Sequence, residues 1–256
     1  MVAQPSRLFY MPTPGAVDNS IQRTVLALSG VAHQDALLSL GIERVVEQFN
    51  TGLLLGDRTQ AEVNALVAAE DYYRFAIVYE PVSRLIETYR QRFVEMRELL
   101  FQWPRLYELA VAVQATAQPD LRLGISFRQF VQAVATDKFQ HWLWMPQIRY
   151  LPWAHTYSRF YRPEQLPLLE SHLARHTERP IHIEAATTLP AGWGATPQLM
   201  TGRYADSLPG ELPADPALWQ AELVDEALFE VIKGYYAIDF KLYNAISDED
   251  PEVAGP

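Results

Sequence analysis

Two groups of residues in this sequence have the types and spacing to do chemistry on their own account. His172 and His176 stand four apart in the run ESHLARHTERPIHIE, with His182 and Glu184 just beyond. On a helix that spacing puts two imidazoles on one face, where a metal ion can be held. The same residues suit a solvated helix end, since Arg175 and His176 fall in a last turn, where cations are favoured. The second group is the stretch 139–161, with three Trp, three Tyr and two His in 23 residues. There His141 or His155 is a candidate general base beside aromatic surfaces. The competing assignment for most of these rings is core packing, with a structural hydrogen bond for each His. The chain has no cysteine, which excludes thiolate zinc sites, iron–sulfur clusters, disulfides and cysteine nucleophiles. It also lacks a Ser-His-Asp order, a Gly-x-Ser-x-Gly elbow, a Gly-x-Gly-x-x-Gly loop and a Walker lysine.

The elements that must position these groups alternate. Residues 7–11 (RLFYM) form a short apolar run closed by the turn-rich PTPGAVDNS. Ile21, Val25, Leu26 and Leu28 then recur at helical spacing behind candidate caps Asp18, Asn19 and Ser20. The pattern predicts a second helix over 33–49, a strand over 51–55, a helix over 60–69 and a strand over 75–78. A long amphipathic helix is expected over 82–102, ended or kinked at Pro104, followed by helices over 106–118, 126–136, 163–176 and 217–243. The proline- and glycine-rich stretch 189–215 predicts a long loop or lid, and the tail beyond Ser247 a frayed end. Strands alternating with helices imply an α/β fold with a central parallel sheet flanked by helices.

At 256 residues with 49% hydrophobic content, the chain has ample material for a core. The net charge of −10 is concentrated: from Arg203 onward there are 12 acidic against 3 basic residues. That balance disfavours nonspecific binding to nucleic acid, which needs a basic face. No run of 18 apolar residues and no signal-peptide pattern are present, so the expectation is a soluble, cytoplasmic chain with no membrane partner.

The segment YRFAIVYEPVSRLIETYRQRF (residues 73–93) resembles the strand-turn-helix of the carbohydrate-type sulfotransferases, an apolar strand followed by Arg-x-Pro-x-x-Arg-Leu-x-Ser-x-Tyr. Pro81, Arg84, Leu85 and Tyr89 match it. The first strand and loop, LFYMPTPGAVDNSI, is similar to that family's phosphate loop through Pro12, Gly15 and Ser20. Asn50-Thr51-Gly52, SFRQFVQ before HWLWMPQ, and IKGYYAIDFKLYN follow in the family's order, so the resemblance spans residues 7–244. It implies a single P-loop-like α/β domain over 1–246, ahead of an acidic flexible tail over 247–256. It also implies an activity: binding of 3'-phosphoadenosine 5'-phosphosulfate (PAPS) and transfer of its sulfuryl group to a hydroxyl of a carbohydrate or small molecule.

Carried over residue by residue, the family's functional groups are changed. The phosphate-loop lysine falls at Thr13, next to Pro14, which has no N–H to donate. The arginine for the 3'-phosphate falls at Tyr79, beside Glu80, and the serine that joins it falls at Glu87. The catalytic base falls at Leu53, with His141 and His155 as candidate substitutes. The resemblance therefore implies a protein that keeps the fold, has lost the donor site at Thr13, Gly15, Ser20, Tyr79 and Glu87, and needs no cofactor. Its partner is then another protein, or a neutral or cationic small molecule accepted beside Glu80 and Glu87 at the rim of the old cleft. The alternative is an active enzyme whose donor site is rebuilt from displaced residues such as Arg23, Arg84 or Arg90.

Overall fold

The computed structural model describes residues 1–15, 17–40, 42, 45, 51–151, 156–184 and 200–248. The chain forms two compact units. The first comprises 1–78, 150–188 and 245–256, the second 79–149 and 189–244.

The first unit is built on a four-stranded sheet of order β1 (Val2–Ala3), β2 (Leu8–Met11), β3 (Tyr73–Ile77) and β4 (Arg159–Tyr161). β1 pairs antiparallel with β2, while β2, β3 and β4 run parallel. Apolar runs of this length without strict alternation suit strands covered on both faces, and the side chains divide accordingly. Phe9 packs with Val2 and Leu66, putting α3 (Gln60–Ala68) on one face. Tyr10 stacks on Phe75 at 5.0 Å, and Phe75 meets Tyr161 edge-on. That opposite face also receives His172 of α7 (Leu166–Thr177) against Tyr161. α1 (Asp18–Ala27) packs against β1 and β2, with α2 (Gln34–Ser39) beside it. The parallel strands expected from residues 8–11 and 75–78 are thus neighbours, in the register Tyr10↔Phe75.

The second unit is helical. α4 (Pro81–Tyr89) begins with Glu80 as N-cap, whose carboxylate accepts from Ser83 N at 2.7 Å. α5 (Pro104–Gln114), α6 (Phe127–Val134), α8 (Glu226–Tyr235) and α9 (Ala237–Ala245) follow. Ser126, at the start of the helix expected over 126–136, caps α6. An aromatic core of Tyr89, Phe93, Phe127, Phe130 and Trp144 holds these helices, with Leu228, Ile232 and Tyr236 closing it.

Several expected elements differ. Residues 51–55 form no strand: Gly52 turns at φ 68, and the segment offers β1 one bond, from Val2 N to Leu53 O, before a 3-10 turn at Leu55–Asp57. The long helix over 82–102 is not continuous, because α4 widens into π-helical turns at Arg90–Glu95 and then tightens into 3-10 turns at Arg97–Gln102. The i→i−5 bond from Met96 N to Gln91 O marks the change, and Phe93 is kept against Phe130 and Trp144. Pro104 opens α5 instead of ending the previous helix, a position where its missing N–H costs nothing. The expected helix over 217–243 is two helices. Asp225 caps the first, accepting from Leu228 N at 2.8 Å, and the break falls at Tyr236, whose hydroxyl donates to Trp144 O. α1 starts from Val17 without a side-chain cap, and Asp18 lies inside its first turn. The expected helix over 33–49 lies partly outside the described residues, as do residues 189–199 of the expected 189–215 loop and the tail from 249 onward. Among the described residues, no helix is long and apolar enough to cross a membrane.

Candidate functional site

In the first unit, β2 delivers the loop that leads to α1. Thr13 is fully buried, and its hydroxyl donates to Ile77 O at the C-terminal end of the neighbouring strand. Gly15 O accepts from Asp18 N at 3.3 Å, closing the turn into the helix. Ser20 is buried, and its carbonyl accepts from Thr24 Oγ1. The first turn of α1 thus contains a carboxylate of the chain itself: Asp18 is 6% exposed and accepts from Tyr10 Oη at 2.6 Å and Gln22 Nε2 at 2.7 Å. A negative group in the first turn is stabilised by the N-terminal end of the helix dipole, and here that place is taken by Asp18. Leu53 is buried, 2% exposed. Arg23 lies on the solvent side of α1.

In the second unit, Tyr79 is fully buried, and its main chain is gripped at both atoms by one side chain. Tyr79 N donates to Gln147 Oε1 at 2.9 Å, and Gln147 Nε2 donates to Tyr79 O at 2.8 Å. Gln147 is in turn fixed by Asp239, which accepts from Gln147 N at 2.6 Å and Ile148 N at 3.1 Å. Burial raises the Asp239 carboxyl above the usual carboxylate range, against the lowering effect of these two N–H donors. Glu87, 7% exposed, is clamped by Arg90 through Nε at 2.8 Å and Nη2 at 2.7 Å, and by Gln91 Nε2 at 2.6 Å. Arg90 also pairs with Glu95. Arg84, 2% exposed, donates to Met145 O at 3.0 Å and Trp142 O at 2.9 Å, stitching the 142–145 turn to α4. Glu80 and Glu87 are therefore not rim groups as expected: one caps a helix, the other is ion-paired, and both are buried.

Of the two candidate substitute bases, His155 lies outside the described residues. His141 packs on Trp144 at 4.7 Å and accepts from Leu143 N at its Nδ1. Burial, with Arg92 and Arg105 nearby, pushes its pKa down to about 4. A base so weak is poorly matched to proton abstraction at neutral pH.

The two candidate metal-binding rings are engaged separately. His172 Nδ1 bonds the Tyr161 hydroxyl, itself joined to the Tyr73 hydroxyl. His176 Nε2 faces the carbonyls of Ser6 and Arg7, both at 3.1 Å. His182 pairs with Glu170 at 3.1 Å on the surface. Among the described residues, no three His, Asp or Glu side chains gather as metal ligands.

Gln147 and Asp239 receive no role from the sequence alone. Asp239 sits within the closing Tyr-x-x-Asp-Phe segment, which is the signal that points to it. Gln147 stands 68 positions from the backbone it binds and leaves no local pattern.

A mostly parallel sheet with helices on both faces and neighbouring strands opening into helices defines an α/β protein of the P-loop-like kind. A family model described as Sulfotransferase family matches residues 46–244, and the chain belongs to that family. The match takes in β3, α4 and α9 and starts beyond the Thr13 loop. Comparison with curated proteins finds no match, and comparison with solved structures finds none.

Proposed function

We propose that this sulfotransferase-family chain has given up PAPS and works as a binding protein. The observation that carries this reading is the bidentate clamp of Arg90 on buried Glu87, at the position where the resemblance puts a serine for the 3'-phosphate. A carboxylate there repels phosphate, and the cation beside it is already neutralised. Tyr79, where the resemblance puts an arginine, is buried and has no cationic group. Thr13 directs its hydroxyl into the sheet, Pro14 has no N–H, and Asp18 occupies the first turn of α1. These residues do not fit a phosphonucleotide. Each lost charged contact is worth about 1.5–3 kcal/mol. Three such losses approach the ~8 kcal/mol of a micromolar complex.

With Glu80 and Glu87 held internally, a cationic ligand finds no available carboxylate there, so the reading narrows to a neutral small molecule or another protein. Calorimetric titration of 3'-phosphoadenosine 5'-phosphate into the full chain tests the loss of the donor site. No heat of binding is expected at millimolar nucleotide, and micromolar affinity would restore the enzyme reading. The triple variant Thr13→Lys, Tyr79→Arg, Glu87→Ser is expected to gain measurable binding.

A further inference from the structure

At the edge of the sheet where the parallel strands begin, a second set of polar residues converges. Arg7 immediately precedes β2, Asp71 lies two positions before β3, and α7 ends beside them. Ser6, Arg7, Asp71, His176, Thr177 and Arg179 line a pocket of about 290 Å³, near the lower size limit of small-ligand sites. All of them belong to the first unit.

The donors and acceptors of this pocket are of two kinds. Arg7 meets Asp71 through one guanidinium nitrogen at 2.6 Å, and the rest of its fork makes no bond among the described residues. Arg179 has no ion pair or side-chain hydrogen bond among them. Two guanidinium groups on one small pocket, in a chain of net charge −10, favour an anionic head group with several oxygens. The other polar groups are acceptors. Ser6 Oγ already donates to Leu28 O at 2.7 Å and Thr177 Oγ1 to Leu173 O at 2.8 Å, so each presents lone pairs. His176 Nε2 faces two carbonyl oxygens and so acts as their donor, and in the tautomer with the proton at Nε2 the Nδ1 atom is an acceptor. Asp71 adds a carboxylate. Acceptors in this number repel a bare anion and call for hydroxyl donors. Arg7 itself holds φ 49, a left-handed conformation uncommon for a residue with a side chain, and this turn directs the Ser6 and Arg7 carbonyls at His176.

We propose that this pocket binds a small phosphate monoester with a hydroxylated body, the phosphate held by Arg7 and Arg179 and the hydroxyls by Asp71, His176, Ser6 and Thr177. The test is calorimetry on the full chain with three probes: glucose 6-phosphate, glucose and inorganic phosphate. Glucose 6-phosphate is expected to bind saturably, and each of the other two at least about tenfold more weakly. Arg179→Gln, an exposed substitution, is expected to weaken glucose 6-phosphate about tenfold with an unchanged unliganded melting temperature. Arg23→Gln on α1, outside the pocket, is expected to leave the affinity as it was. Absence of saturable binding up to about 10 mM glucose 6-phosphate, or an affinity unaltered by Arg179→Gln, overturns the proposal. Equal binding of inorganic phosphate overturns the hydroxylated body. Because the adenosine nucleotide is tested separately, failure here leaves the reading of the donor positions standing.

Discussion

The helix that follows β2 and the helix that follows β3 each contain a buried carboxylate, and they accommodate it differently. Asp18 accepts from a phenol and an amide, Tyr10 and Gln22. Glu87 accepts from a guanidinium held in bidentate geometry, with Gln91 in support. Asp18 accepts from neutral donors at the helix N-terminus, with the buried amino group of Met1 near enough to act on its charge. Glu87 is balanced by a full cation, which means that the second region still contains an arginine able to serve an anion once its partner is removed. On the proposed reading, loss of the donor is deep in the first region and shallow in the second.

The largest expected effect concerns Arg84, which the α4 side uses for its own architecture. Arg84→Met leaves the carbonyls of Trp142 and Met145 without their buried donor, and a stability loss of about 3 kcal/mol is expected in urea denaturation. A loss below about 1 kcal/mol would mean that this arginine is available for a ligand after all. Asp18→Ala comes next, at about 2 kcal/mol, since it removes the acceptor shared by the Tyr10 hydroxyl and the Gln22 amide. Glu87→Gln is expected to cost about 1 kcal/mol, because Arg90 keeps its contact with Glu95. If the Glu87 change proves as costly as the Asp18 change, the contrast between the two regions collapses.

The pH dependence sharpens the same contrast between charges held and charges refused. His141 has its folded-state pKa pushed down to about 4, below the ordinary value of 6.5. The folded protein therefore binds fewer protons than the unfolded chain between those values. Stability is expected to be unaffected by this group above pH 6.5 and to decline as the pH falls toward 4. His141→Phe is expected to flatten that acid limb in thermal melts followed by circular dichroism, and an unchanged limb would contradict the burial of this ring. The smallest effect belongs to Arg105→Ala. Its pair with Glu108 is exposed on both sides, and a change under about 0.5 kcal/mol is expected.

What the sequence made legible was local. The apolar runs 8–11 and 75–78, the helix start at Ser126 and the Pro81–Arg84–Tyr89 pattern all lie within a few residues of the feature they announce. The same holds for the substitutions at Tyr79 and Glu87, which are pinned by that pattern. The burial of Glu80 and Glu87 was not legible, because it depends on which partners the folded chain brings to them. The grip of Gln147 on Tyr79 and of Asp239 on Gln147 joins positions 68 and 92 residues apart. Composition carries no trace of such pairs. The π-helical turns after Tyr89 escaped for a related reason: the apolar spacing fits an α-helix, and only packing against Phe130 and Trp144 decides otherwise.

Arg74 is a charged residue within β3, buried at 7% exposure, and its guanidinium donates to the last carbonyls of α3, at Leu66, Val67 and Ala69. Successive residues of a strand face opposite sides, so a shift of β3 by one position against β2 would swing this cation to the side of Tyr161 and His172, among aromatic rings. It would also leave the end of α3 without a donor. Arg74 therefore acts as a ratchet tooth for strand alignment: it fits the sheet in one setting, Phe9↔Arg74 and Tyr10↔Phe75, and makes neighbouring settings expensive before any ligand is involved.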